Sequence, residues 1–382
     1  MTKEIGIVEI NYHSQNTYYL CKILKRKYDI TLFIDSEIYE RLKTFPESEF
    51  LEDVHMVVRK DSESKQGFLS KVKNVSEESL DFLLFGTVTG TAPELFRFAR
   101  CSIDLPTAMY IYKVYNWMAP KIYFDRSIRN TIRENLRNLA RQYVISKQNY
   151  LLSEYQTGSK LISEIRGDVN VQMLRPLFRS DWTIGGSVRN EDLRIVIPGS
   201  IKQGRGIEYK NLLSISEKIP NGVVIELLGR PMDEYGRRVI EEAAQKAQFE
   251  IHDSWIPHAD FAATIESADA LFGPFSRDNM TWKTGSRTER RSVSVGSGIT
   301  LDAVKYSTPL ILPKYYTHDP ELDSGVKTYG SFEDIPRLTE KLISDESDTL
   351  TRMKSGMDSV SEKYTLSTQR DRFESFVDGM ID

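Results

Sequence analysis

Cysteine is nearly missing from this 382-residue chain: Cys21 and Cys101 are the only two, far apart and without CxxC spacing. That argues against a thiolate zinc site or a disulfide framework and fits a reducing compartment. Long apolar runs are missing as well, since none approaches the roughly 20 residues that span a bilayer. The opening MTKEIGIVEINYHS passes directly into a strand-like segment, without the apolar stretch and small-residue cleavage site of a secretory signal. Nor does one sign of charge dominate: 51 Lys and Arg meet 55 Asp and Glu, a formal −4, which gives no reason to expect a nucleic-acid partner. These absences predict a cytoplasmic protein, and leave open association with the inner face of a membrane as a peripheral protein.

What is present is a globular composition, 40% apolar and 28% charged. A chain of this length exceeds what one efficient core serves, so two domains of about 150 to 200 residues are expected. Short apolar runs alternate with amphipathic stretches throughout, the pattern of βα units on a parallel sheet. In the first half, strands are predicted at 4–10, 29–35, 55–60, 82–88 and 108–114, with helices near 14–27 and 92–99. A second series places strands at 193–199, 223–229, 249–255, 268–274 and 308–313, with helices near 206–217, 234–247, 258–267 and 298–306. Between the two series, FRSDWTIGGSVRNED (178–192) reads as a hinge. The expected fold is α/β, two Rossmann-like parallel-sheet domains facing a cleft. The first spans 1–180, a linker 181–192, the second 193–362, and a C-terminal segment 363–382 carries a helix near 367–379.

Ligands of open parallel sheets gather at the carboxyl ends of the strands. In the second domain that edge carries PGSIKQGRG (198–206), where Gly199, Gly204 and Gly206 permit close backbone approach and Lys202 and Arg205 bring positive charge. A phosphate suits such a loop; a plain turn is the simpler reading. In SGITLDAVKYSTPLILP (297–313), Ser297 and Gly298 begin a helix whose N–H groups point outward. Ser297 and Thr300 add hydroxyls, and Asp302 serves either as a favourable charge near the helix start or as an acceptor for a sugar hydroxyl. The loop 275–296 is long and basic, with Arg277, Lys283, Arg287, Arg290 and Arg291, and reads as a flap over a polyanion or as a solvated loop. In the first domain, NYHSQN (11–16) brings Asn11 and His13 to the same kind of edge, and GTVTGTAPE (86–94) brings Thr89 and Gly90.

The two-domain layout, IPGSI…GRG opening the second domain, and SGITLDAVKYSTPLILP near its end resemble the GT-B glycosyltransferases, in particular the retaining family 4 that includes mannosyl- and glucosyltransferases. The architecture resembles that group over nearly the whole chain, the specific motifs only between about 193 and 313. The resemblance implies transfer of a sugar from a nucleoside diphosphate sugar to an acceptor hydroxyl, in glycan or lipid-linked glycan synthesis. It implies no metal and no covalently held cofactor. In the family the first loop commonly carries arginine and lysine on the donor diphosphate; Ser200 and Arg205 stand at the matching positions, with Lys202 as the substitute. Of the family's two carboxylates eight apart, Asp302 matches the second, Ser294 stands at the first, and Glu289 is the nearest carboxylate upstream. By this resemblance Arg205, Lys202 and the N–H groups of Gly298 and Ile299 offset the charge of the leaving diphosphate. The base sits near Trp255 to His258, Gly229 joins the donor side, and His13 is an acid/base or hydrogen-bonding group on the acceptor side. The departures keep two other readings open: a catalytically degenerate GT-B protein that binds a glycan or partner, and a nucleotide-sugar epimerase.

A last feature lies in DRSIRNTIRENLRNLARQYV (125–144). Arg126, Arg129, Arg133, Arg137 and Arg141 form one stripe, and Ile128, Ile132, Leu136, Leu139 and Tyr143 a second about 120° away. Upstream, 109–124 holds six aromatic residues. This is either a core-facing helix with a solvated basic side or a surface, spanning 109–144, that meets anionic lipid.

Overall fold

The computed structural model of the chain describes residues 2–10, 13–45, 47–100, 103–118, 122, 124, 127–179, 192–203, 207–252, 254–277, 281–284, 287–290, 297–344 and 348–382. The side chains of 281–284 and 287–290 are outside this description. The chain divides into two compact units.

The first unit holds β1 (Glu4–Glu9), α1 (Ser14–Leu24), β2 (Asp29–Asp35), α2 (Ser36–Leu42), β3 (His55–Arg59), α3 (Lys65–Ser79), β4 (Phe82–Phe85) and α4 (Ala92–Arg100). It continues through β5 (Thr107–Tyr110), α5 (Val114–Met118), α6 (Ile128–Ile145), β6 (Tyr150–Ser153), α7 (Gln156–Ile165) and β7 (Asn170–Met173). Its seven strands are all parallel, in the order β3-β2-β1-β4-β5-β6-β7. Helices on both faces leave the central strands dry, and Ile7, Leu32, Phe33, Leu84 and Met109 are all buried. Two helix starts follow from serine caps: Ser64 accepts from Gly67 N at 3.1 Å, and Ser127 from Asn130 N at 3.4 Å.

The second unit holds β8 (Leu193–Pro198), α8 (Tyr209–Ser214), β9 (Val223–Leu228), α9 (Glu234–Ala243), β10 (Phe249–Ile251), α10 (His258–Ser267) and β11 (Ala270–Phe272). The chain then forms a small hairpin sheet of β12 (Thr281–Thr284) and β13 (Arg287–Arg290). The unit resumes with α11 (Gly298–Tyr306), β14 (Leu310–Pro313), β15 (Val326–Tyr329), α12 (Ile335–Ser344) and α13 (Thr349–Ser361). Its six strands are parallel, ordered β10-β9-β8-β11-β14-β15. The final helix α14 (Leu366–Ile381) belongs to the first unit. There Phe376 meets Phe82 and Tyr150 ring to ring at 6.1 and 5.5 Å.

All ten predicted strands are present. Three short ones were not expected, β6, β7 and β15, and β12 and β13 replace part of what reads as a continuous loop at 275–296. Residues 180–191, which carry the predicted hinge, lie outside the described residues.

Candidate functional site

At the carboxyl edge of the second sheet, β8 ends at Pro198 and Gly199 turns with φ +97°. A Cβ on Gly229 would stand 2.1 Å from the Gly199 carbonyl oxygen, and one on Gly236 2.3 Å from that of Ile201. Both positions therefore need glycine so that the loop after β8 can lie against the end of β9 and the start of α9. Asp233 ties the loop down, accepting from Gly236 N at 2.8 Å and from Gln203 N at 3.0 Å. Those bonds, chiefly the one from Gly236, hold its carboxyl below the usual range. Gly229, predicted on the donor side, is thus accounted for by backbone packing. Lys202 is exposed on this loop next to the half-buried Ser200; Arg205, with Gly204 and Gly206, lies outside the described residues.

The neighbouring strand on this edge, β11, is followed on its other side by β14, and α11 leads into β14. Ser297 stands at the N-cap position of α11 in an extended conformation without a side-chain capping bond, and a Cβ at Gly298 would meet nothing within 4 Å. Gly298 is exposed, so a side chain there would project into open space beside the first turn of α11. Thr300 does not face that opening: it is buried and its hydroxyl donates to the Ser297 carbonyl at 2.8 Å. Ile299 is buried too, so its backbone N–H rather than its side chain is what the site can use.

Asp302 acts on a group that the sequence reading passed over. Lys305, one turn further along α11, is buried, with its Nζ 3.5 Å from His258 Nε2 at the start of α10. Burial pushes the Lys305 ammonium down to about 7, against the pull of Asp302 and Glu266. Burial, and then the Lys305 charge, pushes His258 down to about 3, so its imidazole is neutral at physiological pH. Trp255, in the loop before α10, is exposed.

The carboxyl edge of the first sheet gathers more ionisable groups than were predicted. Glu9 closes β1 and is only 1% exposed. Gly86, just past β4, makes room for it, because a Cβ there would lie 2.4 Å from Glu9 Oε2. Glu154 follows β6 and is 5% exposed. Asn16 on α1 donates to Glu154 Oε1 at 2.5 Å and to the Tyr112 hydroxyl at 3.1 Å. Arg175, after β7, donates through Nε to the Glu154 backbone carbonyl at 2.8 Å. Burial raises the Glu154 carboxyl to about 7, although Asn16 and Arg175 oppose it. Tyr110 and Tyr112 stack at 5.9 Å, and burial together with Glu154 pushes both phenols well up. The Tyr110 hydroxyl has no hydrogen-bond partner among the described residues.

His13 joins this cluster, stacked on Tyr112 at 4.2 Å and 16°. Burial lowers it to about 4, so at neutral pH it offers a neutral ring. Of the other acceptor-side predictions, Thr89 and Gly90 lie on the loop between β4 and α4. Thr89 is exposed. Gly90 packs on Glu94, whose carboxylate accepts from Thr91 N at 2.7 Å and so caps α4. Asn11, and the side chain of Glu289 on β13, fall outside the described residues. Among the described residues no group of three or more His, Cys, Asp or Glu side chains is arranged to hold a metal ion.

No family model matches the chain, and no curated protein matches its sequence. Solved structures do. HepE (Alr3699) of Anabaena, crystallised with UDP-glucose, is 12% identical with a TM-score of 0.63, over 98% of this chain and 99% of that one. A Listeria monocytogenes protein named for a UDP-N-acetylglucosamine 2-epimerase is 11% identical, TM-score 0.58, over 98% and 95%. The UDP-GlcNAc 2-epimerase of Neisseria meningitidis, solved with UDP-GlcNAc, is 13% identical, TM-score 0.58, over 98% and 99%. At such identities the likeness is one of fold: the chain has the GT-B architecture of two parallel-sheet α/β domains.

Proposed function

We propose that the protein is a GT-B glycosyltransferase that takes a sugar from a nucleoside diphosphate sugar and passes it to an acceptor hydroxyl, in glycan or lipid-linked glycan synthesis. The observation that carries this reading is the start of α11, where exposed Gly298 leaves unfilled space beside a helix N-terminus at the carboxyl edge of a parallel sheet. There the N–H groups of Gly298 and Ile299 hold the donor diphosphate, with Lys202 and Arg205 from the loop after β8 adding charge. As the glycosidic bond to the diphosphate breaks, negative charge grows on the leaving oxygen, and these fixed donors stabilise it. Exposed Trp255 offers a face for the base. Full-length likeness to structures solved with UDP-glucose and UDP-GlcNAc supports a UDP-sugar as donor. The motif likeness to retaining family 4 remains a finer form of the same proposal.

A second reading, a nucleotide-sugar epimerase, is favoured by one observation: Glu154, buried and poised near neutrality in the first unit, is suited to proton transfer at a sugar carbon.

The test is thermal stabilisation by UDP, GDP, ADP, CMP and their sugars. A ligand at about 100 times its Kd adds about 2.7 kcal/mol, a rise of at least about 5 °C for a unit of this size. UDP and UDP-sugars are expected to give it, and Gly298→Leu, which fills the open space, to abolish it. A full shift in Gly298→Leu overturns the placement of the diphosphate. Incubating UDP-GlcNAc with the protein alone in D2O separates the readings, since deuterium enters C2 only if the protein epimerises that carbon. A nucleotide shift with neither transfer nor exchange would instead indicate a protein that binds the donor without catalysis.

A further inference from the structure

Ten large apolar side chains are exposed among the described residues, and seven of them fall between 122 and 143. On α6, Ile128, Ile132, Leu136 and Leu139 are 78%, 56%, 47% and 60% exposed. Such a row is far denser than the single apolar residues that dot any surface. The other side of α6 is packed in the ordinary way. Ala140, Val144 and Ile145 are buried, and Glu134, also buried, takes Arg137 at 3.0 Å. Arg141 is buried as well, donating to the Asn116 carbonyl at 3.1 Å, and so leaves the predicted basic stripe.

Helical arithmetic places Ile128, Leu139, Ile132, Tyr143 and Leu136 within an arc of about 80°. Arg129, Arg133 and Lys147 follow at its border and are exposed. The adjoining helix α4, packed along α6, adds exposed Arg97 and Arg100. Its carboxylate, Glu94, is engaged at its own helix start. Among its described residues α6 has one carboxylate, the buried Glu134.

We propose that this face of α6 docks on an anionic membrane, the helix lying in the interfacial plane with its apolar row at the acyl boundary and its basic border among the headgroups. Charge decides between occupants. A second copy meeting the face antiparallel about a two-fold axis would set one basic border against another, and a parallel one would leave both basic borders without opposite charge, whereas an anionic bilayer offers both an apolar interior and the opposite charge. No described helix is long and apolar enough to cross a membrane, so α6 lies on the surface. This inference is independent of the reaction proposed above.

The test is co-sedimentation of the full chain with vesicles of phosphatidylcholine alone or mixed with phosphatidylglycerol, at 50 and 500 mM salt. Binding is expected to the anionic vesicles and to fall at high salt. At about 1 kcal/mol per basic residue, or fivefold in partition, Arg129→Gln with Arg133→Gln is expected to weaken it about 25-fold. Ile132→Ser with Leu139→Ser is expected to weaken it about a hundredfold or more. All four side chains are exposed, and Glu134, which Arg133 meets at 3.5 Å, keeps Arg137 at 3.0 Å, so both double variants should melt within about 2 °C of the wild type. Equal binding to both vesicle types, no binding to either, or binding indifferent to the serine pair overturns the proposal. So does a wild-type dimer in sedimentation velocity that the serine pair converts to monomer.

Discussion

Replacing Glu154 with glutamine tests the electrostatics of the first-sheet edge. In the folded chain the Glu154 carboxyl titrates at about 7, raised from 4.5 by burial. Between those values the native state binds a proton that the unfolded chain has released, so this group's contribution to stability falls as pH rises through that interval. At about 1.36 kcal/mol per pH unit the loss is about 3 kcal/mol by pH 8. The Glu154→Gln side chain would keep the shape of the protonated acid and its acceptor for Asn16, without the charge. Below pH 5 the variant is therefore expected to melt with the wild type. At pH 8 it is expected to melt about 6–12 °C higher, using about 2–4 °C per kcal/mol for a unit of this size. The assay is scanning calorimetry of both proteins from pH 5 to 8, read as the difference in the unfolding step of the first unit. A constant difference across that range would refute the assignment of a buried, near-neutral carboxyl.

Gly229→Ala is expected to lower the melting temperature by about 4–8 °C, since a methyl 2.1 Å from a backbone oxygen costs about 2 kcal/mol or more of overpacking. Gly298→Ala, with nothing near its new methyl, is the matched control and should leave the melt within about 2 °C; equal loss in both would undo the packing argument. Lys305→Met addresses the opposite titration. Its ammonium is pushed down to about 7 from 10.5, so between those values the unfolded chain holds a proton that the native state has lost. Wild-type stability from this group then rises with pH, and urea denaturation at pH 7 and 9 should show the variant gaining most at pH 7.

The alternation of apolar runs made the two sheets legible, because strands buried on both faces read as continuous hydrophobic stretches. The missed strands lie elsewhere. β7 and β15 are edge strands whose NVQM and VKTY are too short and too polar to stand out, and β6 has only YLLS. Candidate residues were unevenly visible for a similar reason. Gly298 and Lys202 stand out by type and position in the sequence, whereas the Glu9–Glu154 cluster needs β1 and β6 brought to one edge. A signal was nevertheless present: Glu9 sits inside the apolar run EIGIVEI, and Glu154 ends LLSE. A carboxylate in a buried strand costs too much to be incidental unless it is partnered or neutral. The stripe on α6 was visible in the periodicity, but periodicity defines faces and not which of them is covered: the covered side carries Glu134 and Arg141 beside Ala140, Val144 and Ile145.

The return of α14 to the first unit has a consequence for how the chain is made. Phe376 closes over Phe82 and Tyr150, and the Gln369 amide donates to the carbonyls of Arg175 and Leu177 at 2.8 and 2.6 Å. Between Leu177 and Leu366 the ribosome must deliver every strand of the other sheet. The usual vectorial order, in which the N-terminal domain finishes first, is therefore reversed. The six-stranded unit can complete itself while the seven-stranded one still waits, with Phe82 and Tyr150 uncovered, for a helix that arrives last. A nascent chain stalled before Leu366 presents that aromatic patch to chaperones and proteases.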